Sequence, residues 1–246
     1  AKVNTSGSQI ALLTYAYSGG VSEMWRIAYN SCTRQGVIAC GNYMQPYQSA
    51  TFDTNLTSIT SVNVLSTTEK YHDMALLAID DTNCYMATAR GVTTNTTTFD
   101  NVLIKVPLAT LSPNAYMISN GHNFIECTNV YYDAYQKGNG FNGMAKGPHY
   151  LYTYDGAMLK KWNPWSGTFI NSITVSADSF QCGGIAVDGC DNVFVGTVNG
   201  VNKYDSSLAF VTSLTTTDTV YDVMLGTGGE IFACGNGFVS ALPLFS

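Results

Sequence analysis

Charged residues are scarce in this sequence. Asp, Glu, Lys and Arg together make up 11% of its 246 residues, well under the share of about a quarter that is usual in soluble proteins. Surface helices need Glu, Lys and Arg on their solvent faces, so this scarcity argues against a helical protein. Hydrophobic residues reach 46%, and Thr, Ser, Asn and Gly supply much of the remaining polarity. That balance is typical of many short, half-buried strands joined by tight turns.

Basic clusters and long apolar runs are also missing. Lys160-Lys161 is the only adjacent pair of basic residues, and the net charge is −6. The sequence therefore lacks the clustered positive charge with which proteins follow nucleic-acid phosphates. No apolar run reaches the length of a membrane span. We expect neither a nucleic-acid partner nor a transmembrane segment.

The seven cysteines form no Cys-x-x-Cys pair, so the sequence supports neither a zinc knuckle nor a redox motif. Because their number is odd, at least one thiol is unpaired or pairs outside the chain. Cys32, Cys84 and Cys190 lie near matching turns of the repeat described next, and disulfides among them stay open at this stage.

Internal repetition is the strongest positive signal. Residues 182–216 contain four short apolar runs separated by turn residues, which we interpret as strands a to d of one propeller blade. The next unit repeats this design, with a spacing of 38 from Val193 to Ile231. The pairs Asp155-Gly156, Asn199-Gly200 and Asn236-Gly237 recur between strands b and c. They predict type I′ hairpins, in which both central residues have positive φ.

We therefore predict an all-β fold, a single β-propeller domain over residues 1–246 with five blades, or six as the alternative. The predicted blades cover approximately residues 22–67, 71–120, 141–176, 180–216 and 219–246, and residues 121–140 form an inserted loop or a degenerate sixth blade. The last unit lacks strand d, so we expect an N-terminal strand within residues 8–18 to pair with it and close the ring. A β-sandwich does not predict a four-strand repeat of about 40 residues.

Several stretches carry a family resemblance: YHDMA at 71–75, CYMATA at 84–89, FNG at 141–143, LYTYDG at 151–156 and ACGNGFV at 233–239. They resemble propeller modules of large secreted or surface proteins of Bacteroidota, of the type associated with type 9 secretion and gliding motility. Residues 186–188 followed by 193–195 are more loosely similar to NHL-type and YVTN-type propellers. The resemblance implies an extracellular module with an adhesive or scaffolding role, as part of a larger surface protein or assembly.

Signals of catalysis are sparse. Propellers that hold a catalytic metal line their axis with carboxylate ligands, and we predict that none of the four glutamates lies in a first strand, strand a. These are Glu23, Glu69, Glu126 and Glu230. We interpret four aspartates as turn-forming residues, with a calcium site as the alternative; these are Asp80, Asp81, Asp188 and Asp191. His149 falls at a turn, and we interpret it as incidental. No enzyme activity and no cofactor are expected.

Long loops favour one face as a recognition surface, because loops on a rigid scaffold carry function. In a propeller the b–c and d–a loops share a face, and the long loops of the first two blades and the insert all belong to it. Tyr and Asn there suit a polar protein patch or a glycan, although the tyrosines alternatively pack the insert against the rim. The candidate ligand-binding residues are Tyr43, Tyr47, His72, Asp73, Arg90, His122, Tyr131, Tyr132, Tyr135 and Asn142.

These observations together predict a non-enzymatic extracellular binding or scaffolding module that acts in adhesion or protein assembly. The alternative is a propeller lectin that binds glycans through the Tyr- and Asn-rich loop face. A metal-dependent hydrolase or lyase is the third hypothesis, and the sequence offers it no set of axial ligands. Propellers host many functions, so the fold does not decide among the three.

Overall fold

Every regular element that the structure describes is a β-strand. The structure is a computed structural model and describes residues 2–3, 6, 8–11, 23–30, 32–41, 48–56, 59–63, 72–91, 103–109, 116–119, 143–154, 156–176 and 182–242. Within those ranges there is no helix that could span a membrane. The all-β prediction from the composition is confirmed.

The strands form five blade-sized antiparallel sheets and one small hairpin. The hairpin pairs β1 (Lys2–Val3) with β2 (Gln9–Ala11). Sheet 1 contains β3 (Glu23–Asn30), β4 (Gln35–Gly41), β5 (Gln48–Asp53) and β6 (Ile59–Asn63). Sheet 2 contains β7 (His72–Ile79), β8 (Asn83–Gly91), β9 (Leu103–Pro107) and β10 (Tyr116–Ser119).

The remaining three sheets follow the same plan. Sheet 3 contains β11 (Met144–Lys146), β12 (Leu151–Tyr154), β13 (Met158–Trp162) and β14 (Phe169–Thr174). Sheet 4 contains β15 (Ile185–Val187), β16 (Val193–Thr197), β17 (Gly200–Tyr204) and β18 (Phe210–Thr215). Sheet 5 contains β19 (Val220–Leu225), β20 (Ile231–Gly235) and β21 (Phe238–Leu242). In every sheet the strands are neighbours in chain order, as a blade requires.

The chain divides into two compact units. The first covers residues 1–99 and 104–116, and the second covers residues 100–103 and 117–246. In the first unit, β3 of sheet 1 contacts β7 of sheet 2. In the second unit, the first strands β11, β15 and β19 contact one another in succession.

Strand β16 shows why the sequence repeats short apolar runs without polar alternation. Val193 and Val195 pack with Tyr152 in a cluster against sheet 3. Phe194 points to the other side and packs with Val223 of sheet 5. Both faces of the strand are thus buried between neighbouring sheets, so successive side chains are apolar. The same packing predicts that a polar substitution on either face of β16 is costly.

The predicted b–c turn at Asn236-Gly237 lies where the sequence predicted it, and the turn predicted at Asn199-Gly200 lies one residue earlier, at 198–199. Asp155 of the third predicted turn lies outside the described residues. The two described turns are not of the predicted type. Asn199 and Asn236 do not have positive φ, and in the second turn only Gly237 does, at 76°. Gly200 belongs to β17, where it pairs with Thr197. A Cβ atom on Gly200 would overlap the carbonyl oxygen of Leu214 on β18. The glycine at this position is therefore required by the close approach of β18 and not by a type I′ turn.

One prediction about strands needs correction, and another stays a prediction. The described part of the N-terminal strand, Gln9–Ala11, pairs with Lys2–Val3, and the described residues of sheet 5 form three strands. The rest of the predicted N-terminal strand, residues 12–18, lies outside the described residues, so its pairing with the last blade stays a prediction. Glu23 lies in a first strand after all, because β3 extends to pair it with Gly41. Residues 121–140, predicted as an insert or sixth blade, lie outside the described residues.

Candidate binding site

The predicted loop-face residues fall into two groups. His72, Asp73 and Arg90 lie in strands, where Asp73 is the register partner of Arg90 and His72 is that of Gly91 across β7 and β8. This register places the backbones of the three candidates side by side at one end of sheet 2. The other seven candidates lie outside the described residues: Tyr43, Tyr47, His122, Tyr131, Tyr132, Tyr135 and Asn142.

The turns between first and second strands lie at the opposite end of each sheet, and side chains order them. Asp188 Oδ1 accepts hydrogen bonds from the backbone N–H groups of Cys190 and Asn192, at 2.8 and 2.9 Å. Asp80 accepts in the same way from Thr82 and Asn83. This arrangement is an Asx-type turn, which explains why Asp recurs at these positions. The interpretation of these two aspartates as turn-forming residues is confirmed.

Asp80 also shows how the turn affects ionisation. Its partial burial is the largest single influence and acts to raise its pKa. The hydrogen bonds from the backbone of Thr82 and Asn83, from the Tyr85 hydroxyl and from the Thr82 hydroxyl act the other way. Together they outweigh burial, so the pKa of Asp80 lies below its ordinary value. The carboxylate is held in its charged form by the turn it stabilises.

Asp191 has a different role, which joins sheet 3 to sheet 4. Its backbone is left-handed, with φ at 60°, and its side chain is only 2% exposed. Asp191 Oδ2 accepts hydrogen bonds from the backbone N–H of His149, at 3.2 Å, and from His149 Nδ1, at 2.6 Å. The interpretation of His149 as incidental is therefore wrong. Sequence reasoning missed this contact because the two residues are 42 positions apart.

Sheets 1 and 2 are joined by a related contact between their corresponding turns. The side-chain amide of Asn30 donates a hydrogen bond of 2.7 Å to Asp81 Oδ1. Asn30 Oδ1 at the same time accepts from the backbone N–H of Cys32. A turn aspartate thus accepts a hydrogen bond from the preceding sheet at two places in the chain, once from an amide and once from an imidazole.

Lys161 makes a second connection between sheets 3 and 4. Its ammonium lies 3.5 Å from the centre of the Tyr150 ring and donates a hydrogen bond of 2.6 Å to the carbonyl oxygen of Ser206. Burial lowers the pKa of Lys161, and the carboxylates of Asp191 and Asp205 partly counteract that effect. A buried lysine needs such partners, because an isolated charge in the interior is costly.

Trp165 stands out on the turn between β13 and β14 because it is large and 68% exposed. The turn itself is well ordered by Asn163, whose Oδ1 accepts from the N–H groups of Trp165 and Ser166 at 2.8 and 3.1 Å. The N–H of Gly167, whose φ is 68°, donates to the backbone oxygen of Asn163. The turn therefore holds the backbone of Trp165 firmly while its indole faces solvent.

Lys146 links Trp165 to the neighbouring turn of sheet 3. Its ammonium lies 6.0 Å from the centre of the Trp165 ring and donates to the carbonyl oxygens of Gly147 and Pro148. Pro148 immediately precedes His149, whose side chain is 71% exposed although its Nδ1 is bonded to Asp191. We call Lys146, His149, Trp165, Ser166 and Thr168 the turn patch.

The turn patch combines an exposed aromatic ring with polar groups, and it was not predicted from the sequence. The predicted recognition surface was the face with the long loops, whereas Trp165 lies in a turn of only six residues, 163–168. The sequence Asn-Pro-Trp-Ser-Gly, 163–167, carried the usable signal. Asn, Pro, Ser and Gly predict a tight turn, and a tryptophan at its centre has little to pack against. Within the described residues, no group of three or more His, Cys, Asp or Glu is arranged to hold a metal ion.

Five of the described cysteines form no disulfide: Cys32, Cys84, Cys182, Cys190 and Cys234. The disulfides left open among Cys32, Cys84 and Cys190 are absent from this described set. Burial raises the pKa of the Cys84 thiol, and the nearby Asp80 carboxylate raises it further. Cys84 is thus held as a neutral packing group.

Comparison with solved structures identifies the fold. A gluconolactonase from Xanthomonas campestris matches with a TM-score of 0.60 at 13% identity, over 89% of this chain and 71% of that one. A chain of the mitotic checkpoint complex matches with a TM-score of 0.62 at 10% identity, over 94% and 62%. BamB from Moraxella catarrhalis matches with a TM-score of 0.52 at 12% identity, over 81% and 51%. The chain is a β-propeller.

The predicted fold, with five blade-sized sheets, is thereby confirmed. The chain spans about half to under three quarters of the length of these propellers. No protein-family model matches the sequence. No curated protein matches it either. At such low identities the structural matches show the fold alone, since one fold hosts many functions.

Proposed function

We propose that this propeller is a non-enzymatic binding module that works outside the cell, in adhesion or in the assembly of a larger surface protein. The observation that carries the proposal is the turn patch, which exposes Trp165 on a turn whose backbone is fixed. Exposed aromatic residues on a rigid support are frequent centres of binding energy. Because the backbone of such a turn is already ordered, binding a ligand there costs less conformational entropy than binding on a mobile loop.

The surroundings of the patch support binding rather than turnover. His149 and Asp191 form a hydrogen-bonded pair of the kind that activates nucleophiles. Asp191, however, also accepts from the backbone of His149 and stands where a Cβ on Gly147 would overlap it. This packing assigns the pair to the contact between sheets 3 and 4. The gluconolactonase among the structural neighbours shares the fold at 13% identity, which does not carry its activity to this chain.

A lectin that binds glycans through the Tyr- and Asn-rich loop face remains the second hypothesis. The one observation in its favour is the register that brings His72, Asp73 and Arg90 together at one end of β7 and β8. Most residues of that face lie outside the described part of the chain. The two hypotheses differ in the end of the sheets at which the ligand binds, so variants can separate them.

The proposal is tested by coating beads with the purified chain and measuring their adhesion to cells and to immobilised extracellular matrix. The W165A variant should adhere less than the wild type, and the M224A variant should adhere equally well. Met224 is a matched control because it is also a large, exposed side chain, at 61%, and lies on sheet 5. Hydrolysis of a panel of sugar lactones, with and without calcium, is measured in parallel. Efficient turnover, or a wild type that adheres to nothing, would contradict the proposal.

A further inference from the structure

The indole of Trp165 has the properties of a stacking platform. It is exposed over 68% of its surface, and its Nε1 has no hydrogen-bond partner among the described residues. Trp162, only three positions earlier, is fully buried, and its Nε1 donates to Thr153 Oγ1 at 2.9 Å. Strand β13 therefore buries one tryptophan at its end, and the turn that follows presents another to solvent with its indole N–H free to donate.

The turn that carries Trp165 also carries two exposed hydroxyl groups. Ser166 Oγ and Thr168 Oγ1 lie 2.7 Å apart in an exposed pair. Each hydroxyl has one proton and two lone pairs, so after bonding to each other the pair still offers acceptor capacity. A ligand that stacks on the indole finds polar partners at the same turn, a combination that suits a ligand that is apolar on one side and rich in hydroxyls at its edge.

His149 supplies a polar ring nitrogen on the neighbouring turn. An ionised Asp191 carboxylate only accepts hydrogen bonds, so the short contact places a proton on Nδ1 of His149. The other ring nitrogen, Nε2, belongs to a side chain that is 71% exposed, and it accepts a hydrogen bond in the neutral ring and donates one in the protonated ring. The contact with Asp191 fixes the orientation of the ring, so that Nε2 is positioned before a ligand binds.

From this set of groups we propose that the turn patch is a subsite for a sugar ring of a glycan, an inference that rests on the proposed binding function. One face of a pyranose carries C–H groups that stack on an indole, and its edge carries hydroxyls that both donate and accept. A protein partner usually covers about 800 Å² with a desolvated apolar centre. The patch instead offers one exposed aromatic ring, with the hydroxyls of Ser166 and Thr168 on the same turn and His149 on the neighbouring turn, a set of groups that suits a single sugar residue.

The experiment is a printed oligosaccharide array probed with the labelled wild-type chain, followed by titration of the best-retained oligosaccharide against variants. W165A should weaken binding about tenfold or more, as loss of a central aromatic contact does. W165Y should recover most of the affinity, because it restores a flat ring with a polar edge. M224A should bind like the wild type. Thermal unfolding of each variant confirms that it is folded.

Each remaining outcome overturns the proposal. Equal binding by W165A and wild type would place the glycan elsewhere on the chain. Retention of no oligosaccharide by the wild type would reject glycans as the ligand. In that case the bead assay judges the proposed function separately, since adhesion that depends on Trp165 without glycan binding identifies a protein ligand at the same patch.

Discussion

His149 Nδ1 lies 2.6 Å from Asp191 Oδ2, and this pair ties the turn of one sheet to the turn of the next. Asp191 is 2% exposed, and D191N replaces one of its two accepting oxygens with a donating amide and removes the charge from the contact with His149. We expect D191N to lower the free energy of unfolding by about 1–3 kcal/mol. Asn tolerates the left-handed backbone of this position, so the change reports the lost charge and not strain. Urea unfolding monitored by fluorescence measures it.

The contact between Asn30 and Asp81 is the control for that prediction. It joins two sheets through the same kind of turn, with a hydrogen bond of 2.7 Å between exposed groups. Water can replace an exposed partner, so D81N should change the free energy of unfolding by less than about 0.5 kcal/mol. Equal effects of D81N and D191N would contradict the importance assigned to burial at Asp191.

Asp80 predicts a particular dependence of stability on pH. Its folded-state pKa is below the ordinary value, so its ionised form is favoured by folding. The resulting stabilisation is complete above the unfolded pKa of about 4 and is lost as the pH falls through the lowered folded value. D80N should therefore be less stable than wild type at neutral pH, with the difference shrinking below about pH 4. A difference that stays constant across this range would contradict the assignment.

Gly200 is predicted to be intolerant of a side chain. A Cβ there would overlap the carbonyl oxygen of Leu214, which is backbone and cannot rotate away. We expect G200A to cost about 1–3 kcal/mol of unfolding free energy. Gly189 is the control, because nothing lies within 4 Å of a Cβ built on it. G189A should be neutral or slightly stabilising, since it restricts the unfolded chain. Similar midpoints of thermal unfolding for G200A and G189A would contradict this prediction, because they would show that β18 can move away from the added methyl group.

The buried hydroxyl of Tyr154 is expected to stabilise the contact between sheets 3 and 4. Its oxygen lies 2.7 Å from the carbonyl oxygen of Gly196, and the side chain is 2% exposed. Y154F removes the hydroxyl donor and leaves the Gly196 carbonyl without this hydrogen bond. The free energy of unfolding should therefore fall by about 1–2 kcal/mol. Y29F, at a residue that is 47% exposed, should be close to neutral. Calorimetric unfolding of the two variants gives the comparison.

The repeat pattern predicted the sheets well because a strand that is buried on both faces needs a run of consecutive apolar residues. Val193, Phe194 and Val195 are consecutive apolar residues, since each faces a buried layer. The same regularity recurs at Ile231, and it located the fourth and fifth sheets to within a few residues. Periodicity and turn residues are local properties, so a single sequence is enough to see them.

The turn patch and the contact between His149 and Asp191 were not predictable in this way. Asp191 acts across 42 positions, and nothing local to His149 indicates its partner. The interpretation of the Asn-Gly pairs as type I′ turns was wrong for a related reason. Glycine is needed at position 200 because the backbone of β18 lies close to it, and not because of the conformation of its own turn. Sequence reasoning found positions where glycine or aspartate is needed, but the reason in each case lies in a neighbouring strand or sheet.

The most direct test of the account uses the three tryptophans of the chain as separate reporters. Uniform ¹⁵N-tryptophan labelling gives one indole N–H signal for each, and W165F identifies the signal of Trp165 by its loss. On titration with the array-positive oligosaccharide, the Trp165 signal should shift while that of buried Trp162 stays in place. A bound oligosaccharide that leaves the Trp165 signal unchanged would contradict the account and place recognition away from the turn patch.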